Sequence, residues 1–444
     1  MFNKYLFILA HQCGERTFYS SYKKLIQNQW KSYEELKEEQ EKQLRHMINF
    51  SYLNVPYYRK VFDDLKLNPE SIKKVEDLQK LPILTKEIIK QNWDDLKPIN
   101  LNKMKYFEDS TSGSTGTPFK YRHSNFNRFL SGALLYRGWG YGGYELGDKM
   151  VFLAGVSLDI GTQSYLTKRT HEIARNIRKL SSFDMGEKEM HHYVDVINSF
   201  KPKFLRGYAS SIYFFSKWIE ENNLNIHQPV AIFTTSEELY PNMRQKIEAV
   251  FDTKVYDGYG LNDGGVSAFE CSEQGGLHID TERAVMEIAD QDGNQVETGE
   301  GEIHATSLYN YSMPFIRYDT GDLGALSDEI CSCGRGYKLL KKLIGRSVDV
   351  LVTPEGINVH GWYFSFILEY GDGIKEYQVV QEKLDKIIIK IVPNENFDKM
   401  QLDKILESIR TKSKGWNVEL KLVDKIERTG AGKYKFVINN VSTR

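Results

Sequence analysis

Between positions 149 and 259, short apolar runs alternate with stretches of helical length, a rhythm that few architectures satisfy. Residues 149–154, 204–208, 230–236 and 254–259 read as strands, with 187–200, 209–222 and 241–251 as the helices between them. Alternation of this kind predicts α/β layers with largely parallel pairing. The flanks read differently. Residues 1–100 are mainly helical in pattern, and 30–49 mixes Glu, Lys and Gln with spaced Leu36, Leu44, Met47 and Ile48, which suits an amphipathic helix. Residues 284–289 and 302–308 predict a hairpin, with Asp292 and Gly293 at its turn.

Beyond Gly345 the pattern becomes that of a small α+β unit. Residues 377–382 and 386–392 read as strands, 400–412 as a helix, and 417–423 alternates with strand period. At 444 residues the chain is too long for one ordinary domain. The expectation is α/β: a large multi-layer N-terminal domain with mixed and parallel sheets over 1–344, and a small mobile α+β domain over 345–444.

Partners are bounded by charge. A net charge of −1 gives no electrostatic reason to propose nucleic acid or an anionic membrane surface. The apolar run 5–10 is too short for a signal segment or a membrane span, and no other run is long and uncharged enough. Four cysteines in a chain of this length do not make a disulfide framework. A reduced, cytoplasmic protein acting on small molecules is expected, and a homodimer is compatible with that.

Several loops carry chemistry. Ser112, Gly113, Ser114, Thr115, Gly116 and Thr117 pack glycines and hydroxyls where backbone N–H groups can close around phosphate oxygens. Lys120 stands beyond Pro118 and Phe119, so the loop lacks the terminal Gly-Lys-Ser/Thr of a Walker-type phosphate loop. Tyr259, Gly260, Leu261, Asn262 and Asp263 follow a predicted strand, where open α/β sheets place ligand groups. An aromatic there can stack on a purine, and a carboxylate can hold Mg²⁺. Arg317 to Asp322 sets two carboxylates beside an arginine, and a carboxylate suits paired ribose hydroxyls. Gly345, Arg346, Ser347, Val348 and Asp349 come next. Near the end, Arg428, Thr429, Gly430, Ala431, Gly432 and Lys433 place a lysine on a Gly-rich loop, from which an ammonium can meet charge developing at a phosphate. Each segment alone is as readily an ordinary turn.

Their order and spacing together resemble the signature set of the adenylate-forming superfamily, which includes acyl- and aryl-CoA synthetases, peptide-synthetase adenylation domains and luciferase. Within it the chain resembles the phenylacetate–coenzyme A ligase branch and its capsular-polysaccharide-associated relatives. Val55-Pro56-Tyr57-Tyr58-Arg59, Leu81-Pro82-Ile83-Leu84-Thr85-Lys86, Thr235-Ser236-Glu237, Gly275-Gly276-Leu277-His278 and Cys331-Ser332-Cys333-Gly334-Arg335 carry that likeness from about residue 45 onward.

The resemblance implies roles. Ser112, Gly113, Ser114, Thr115 and Gly116 would wrap the ATP β- and γ-phosphates. Ser236 and Glu237 would border the adenine pocket, Tyr259 and Gly260 would lie against the base, and Asp322 would take the ribose hydroxyls with Arg346 in support. Asp263 would contact Mg²⁺, and Lys433 would bridge the acid carboxylate and the α-phosphate during adenylation. Three positions depart from the family. Asn262 replaces the usual Thr or Ser, Glu427 stands where a proline commonly precedes Arg-Thr, and Val348 occupies the hinge position, with Asp349 beside it. Cys271, Cys331 and Cys333 with His278 offer a four-ligand Cys₃His set at spacings unlike a zinc finger's, and reduced thiols are the plain alternative. The branch resemblance favours structural zinc.

The implied function is ATP- and Mg²⁺-dependent activation of a carboxylic acid as acyl-adenylate, followed by acyl transfer to coenzyme A. A first rival passes the acyl group to an amine, a sugar or a carrier protein in polysaccharide or secondary-metabolite synthesis. A second, of another class, is a catalytically silent nucleotide-binding scaffold. Residues 152–160 and 207–211 are expected to wall the acid pocket.

Overall fold

The computed structural model describes residues 2–110, 119–155, 165–183, 185–290, 292–346, 351–359, 361–368, 373–430 and 432–441. The expectations placed on residues 112–116, 156–160, 348 and 349 lie outside these. Helices Phe2–Gly14, Phe18–Asn28, Tyr33–Asn54, Pro56–Asp64 and Lys86–Gln91 form the N-terminal layer. The longest starts where Ser32 and Glu35 close a reciprocal capping box, which satisfies two otherwise orphaned backbone donors. Leu36, Leu44, Met47 and Ile48 are buried on one face of it, as their spacing predicts. Gln40 on the same helix donates to the carbonyls of Thr281 and Ala284 and so ties the layer to a sheet.

The alternating stretch folds into a five-stranded parallel sheet in the order Ile177–Ser181, Met150–Ala154, Phe204–Tyr208, Ala231–Thr235 and Val255–Tyr256. Helices Glu187–Phe200, Ala209–Glu221 and Pro241–Phe251 connect its strands. Two features differ from the expectation. Ile177–Ser181 was not foreseen because it is an edge strand whose run is broken by Arg178 and Lys179. The run 254–259 is not one strand. It divides at Asp257, whose carboxylate accepts the Thr234 hydroxyl at 2.6 Å and whose N–H donates to Glu270 at 2.9 Å. The chain thereby leaves the parallel sheet and enters a seven-stranded antiparallel one.

That second sheet runs Ala284–Ala289, Gly299–Ser307, Tyr318–Ser327, Leu339–Arg346, Leu277–Ile279, Ser267–Glu270 and Gly258–Gly260. The expected hairpin pairs Ala289 with Glu302, so its connection is longer than a two-residue turn. A tight turn within it closes from the Gly293 N–H to the Asp290 carbonyl, and Gly293 takes φ +81°, where a side chain is disfavoured. At the C-terminus, Asn417–Leu422, Lys386–Pro393, Ile374–Lys383 and Val437–Asn439 make a four-stranded mixed sheet, with helices Gly361–Leu368 and Lys399–Lys412.

One apolar cluster runs from the parallel sheet's helices into this C-terminal sheet. At the join, the Phe214 ring lies 5.1 Å from Tyr434 and 6.2 Å from Phe436, and Tyr240 lies 5.7 Å from Phe436. Among the described residues no helix is long and apolar enough to cross a membrane.

Candidate functional site

Beyond the C-terminal end of the parallel strand Ala231–Thr235 lies a cavity of about 220 Å³. Its walls include Ser236, Glu237, Tyr259, Asp322, Lys433 and Tyr434, drawn from both sheets of the large part and from the C-terminal unit. The strand Ala231–Thr235 ends just before Ser236, which adopts φ +68°. That left-handed turn is costly for a non-glycine residue and redirects the chain so that Glu237 points into the junction.

Glu237 joins the two parts. Its Oε2 accepts the Ser210 N–H at 2.9 Å, at the start of helix Ala209–Glu221, and its Oε1 accepts the Tyr434 N–H at 3.0 Å. Burial pushes its carboxyl above the usual range, against the opposing pull of those N–H groups and of Lys433. Three neighbouring contacts reinforce the join. Ser182 Oγ donates to the Gly432 carbonyl at 3.2 Å, Lys217 Nζ to the Ile374 carbonyl at 3.4 Å, and the Arg428 guanidinium sits 5.1 Å over Phe214.

Opposite stands Asp322, on the strand that pairs it with Arg346. The Tyr259 hydroxyl donates to Asp322 Oδ2 at 2.9 Å, and the Asp322 N–H donates to Thr320 Oγ1 at 3.1 Å. Burial, with the adjoining Asp322 charge, holds the Tyr259 phenol well above its ordinary pKa, so it stays a donor. Asp263 is buried behind this pair rather than lining the cavity, and its Oδ2 accepts the Tyr318 hydroxyl at 2.8 Å. Arg283 holds the turn from beneath by donating to the Leu261 and Asn262 carbonyls at 3.3 and 3.5 Å. The Lys433 ammonium lies 5.9 Å over the Tyr208 ring, and the Lys433 backbone N–H donates to Thr429 Oγ1 at 3.1 Å.

Ser236, Glu237, Tyr259, Gly260, Asp322 and Lys433 thus meet at one cavity. Asn262 and Asp263 occupy the turn leading from it, and the backbone of Arg346 adjoins Asp322. Ser112, Gly113, Ser114, Thr115, Gly116, Val348 and Asp349 lie outside the described residues. Sequence reasoning placed Ser210 in the acid pocket wall but missed its contact with Glu237, and it missed Tyr434 altogether; both meet Glu237 through backbone N–H groups, which leave no side-chain signature.

The cysteine set is brought together. Ligand atoms of Cys271, His278, Cys331 and Cys333 all lie within 4.8 Å of one another. Cys271 Sγ is 3.6 Å from Cys331 Sγ, and Cys333 Sγ is 3.4 Å from His278 Nε2. A tetrahedral zinc ion would hold such atoms about 3.6–3.8 Å apart, so the residues fit a closed Cys₃His site. Burial and the nearby Arg335 and Arg137 lower His278 to about 4, which leaves its imidazole neutral and able to ligate. The Arg335 guanidinium lies 4.1 Å over Tyr141 and 4.9 Å over Trp30, which fastens the cluster to the helical layer.

A model of the CapK C-terminal domain matches residues 351–440. Protein CapK of Staphylococcus aureus is 27% identical over 416 residues, covering 92% of this chain and 90% of that one. A phenylacetate-coenzyme A ligase of Thermus thermophilus is 25% identical over 82% of this chain and 83% of its own. Along most of its length the chain is thus similar to ligases of the adenylate-forming superfamily. Among solved structures of that superfamily, 2-hydroxyisobutyryl-CoA ligase in its postadenylation state superposes with a TM-score of 0.76 at 19% identity, covering 93% of this chain and 91% of that one. The same ligase in its thioesterification state reaches 0.58, at 19% identity over 94% and 92%.

Proposed function

We propose that this adenylate-forming protein activates a carboxylic acid with ATP as an acyl-adenylate and then transfers the acyl group to coenzyme A. The observation that carries the reading is the meeting of Lys433, from the C-terminal unit, with Asp322 and Tyr259 of the large part at one cavity. In this reading Asp322 holds the ribose hydroxyls, and Tyr259 and Gly260 lie against the base beside Ser236 and Glu237. Lys433 sets its ammonium against the charge that builds on the α-phosphate, with Arg346 in support. Ser112, Gly113, Ser114, Thr115 and Gly116 wrap the outer phosphates. Asp263, which accepts from Tyr318 beside the cavity, is the residue that would hold Mg²⁺, and the ion would neutralise phosphate charge.

Residues 1–344 and 345–444 act as two domains, with Val348 and Asp349 at the pivot. The better superposition on the postadenylation state supports reading the present arrangement as that of the first half-reaction. A second reading has its own support. Residues 351–440 match the CapK C-terminal domain, and the CapK relative is not named for coenzyme A, so in this reading the acceptor is an amine, a sugar or a carrier protein. The meeting of Lys433 and Asp322 at one cavity argues against a silent scaffold.

A pyrophosphate-release screen over aryl, alkyl and amino acids identifies the acid. That acid is then trapped as its hydroxamate with hydroxylamine, and coenzyme A is supplied instead. Thioester formation establishes the acceptor. Transfer to an amine, sugar or carrier with no thioester establishes the second reading, and no pyrophosphate release with any acid removes both.

A further inference from the structure

On the antiparallel sheet, His304 is fully buried and neither ring nitrogen has a hydrogen-bond partner. Leaving a buried polar group unmatched costs about 1–3 kcal/mol, so an orphan imidazole calls for a ligand. Its surroundings are acidic. His304 pairs across the sheet with Asp319 on one side and Glu287 on the other, and Glu302 precedes it by two positions on the same face. Glu287 is already committed, since its Oε1 accepts from Arg317 at 3.2 Å and from Gln295 at 2.6 Å. Glu302 and Asp319 are partly exposed, and their carboxylate oxygens and a His304 nitrogen all lie within 4.8 Å of one another.

The contact between His304 and Glu302 is at ion-pair distance without a hydrogen bond. His304 Nε2 stands 3.6 Å from Glu302 Oε2, too far for a hydrogen bond. Two ligand atoms on a tetrahedral zinc ion with N and O donors are separated by about 3.4 Å. We propose that Glu302, His304 and Asp319 form a second divalent-cation site, distinct from the cysteine cluster. One imidazole with two carboxylates suits a borderline dication such as Zn²⁺, and three protein ligands leave a position for water. The ion would join strand Gly299–Ser307 to strand Tyr318–Ser327 just ahead of Asp322. Because the two chain segments are joined at their ends, occupancy would steady the segment that carries that carboxylate.

The experiment is metal binding, so it stands or falls apart from the enzymatic reading. Full-length, metal-stripped protein is titrated with Co²⁺ and then with Zn²⁺. Cobalt in the cysteine cluster gives an intense thiolate charge-transfer band, whereas a His/carboxylate site gives none. The expected result is a second equivalent that binds without that band. It disappears in His304→Val and is weakened at least ~10-fold in Glu302→Gln, the scale for disturbing a ligand set. Glu302 is partly exposed and the change is isosteric, so Glu302→Gln decides the matter if the buried histidine variant fails to fold. Wild-type protein with no second equivalent, or one bound equally tightly by Glu302→Gln, overturns the proposal.

Discussion

Lys433 and Glu237 sit side by side at the domain junction yet do different things. On the proposed mechanism the lysine is needed only while negative charge builds on the α-phosphate. Lys433→Ala should therefore lower pyrophosphate exchange by roughly 10²–10³-fold, the effect of removing one preorganised electrostatic group. Thioester formation from a presynthesised acyl-adenylate should persist, and wild-type exchange in the variant would remove Lys433 from the mechanism. Glu237 is a fastener. Its raised pKa means the folded state binds this proton more tightly than the unfolded chain does. Its contribution to stability is thus full below the unfolded carboxyl value and declines as pH rises through the folded one. Glu237→Gln should flatten that decline in thermal melts across pH. A glutamine oxygen can accept from only one of Ser210 and Tyr434, so exchange should also fall by ~10-fold or more, as for a lost charge-assisted hydrogen bond. An unchanged pH profile would show that the group titrates normally.

Secondary structure was legible where both sides of an element are settled by burial. The interior strands Met150–Ala154 and Phe204–Tyr208 are buried at every position and could be read from their apolar residues, with Arg206 and Gly207 the interruptions in the second. Ile177–Ser181 could not, because an edge strand tolerates Arg178 and Lys179. The break at Asp257 was hidden for a related reason: it depends on Thr234 and Glu270, neither adjacent in sequence. His304 belongs to this scale too, since its acidic neighbours arrive only through strand register. The cysteine cluster bridges strand Leu277–Ile279 and the loop before Leu339–Arg346. Cys333→Ser should lower the melting temperature and the zinc content while leaving exchange at saturating substrate nearly intact. Elemental analysis of metal-replete wild-type protein with no zinc would overturn the assignment.

At the scale of the whole molecule, the candidate cavity takes its present walls only because the C-terminal unit is docked against the large part. Sequence could place Lys433 and Asp322 in one family signature, but the surface that brings them together had no local signal. Phe214 was simply one aromatic on a helix, and Tyr434 bonds through its backbone. Phe214 now stands out, because its half-buried ring touches Tyr434, Phe436 and Arg428 while contributing little to the interior of the parallel sheet. Aromatic pairs add about 0.5–1.5 kcal/mol each beyond area burial, so losing this ring should shift the docked population by roughly ten-fold. If two half-reactions use two orientations, that shift should act on one of them. Phe214→Ala is expected to depress pyrophosphate exchange by about ten-fold, with thioester formation from supplied acyl-adenylate falling less or rising. Equal loss in both half-reactions would mean that Phe214 supports the fold as a whole rather than the adenylating arrangement. Far-ultraviolet circular dichroism and the melting temperature of the variant separate that outcome from partial unfolding.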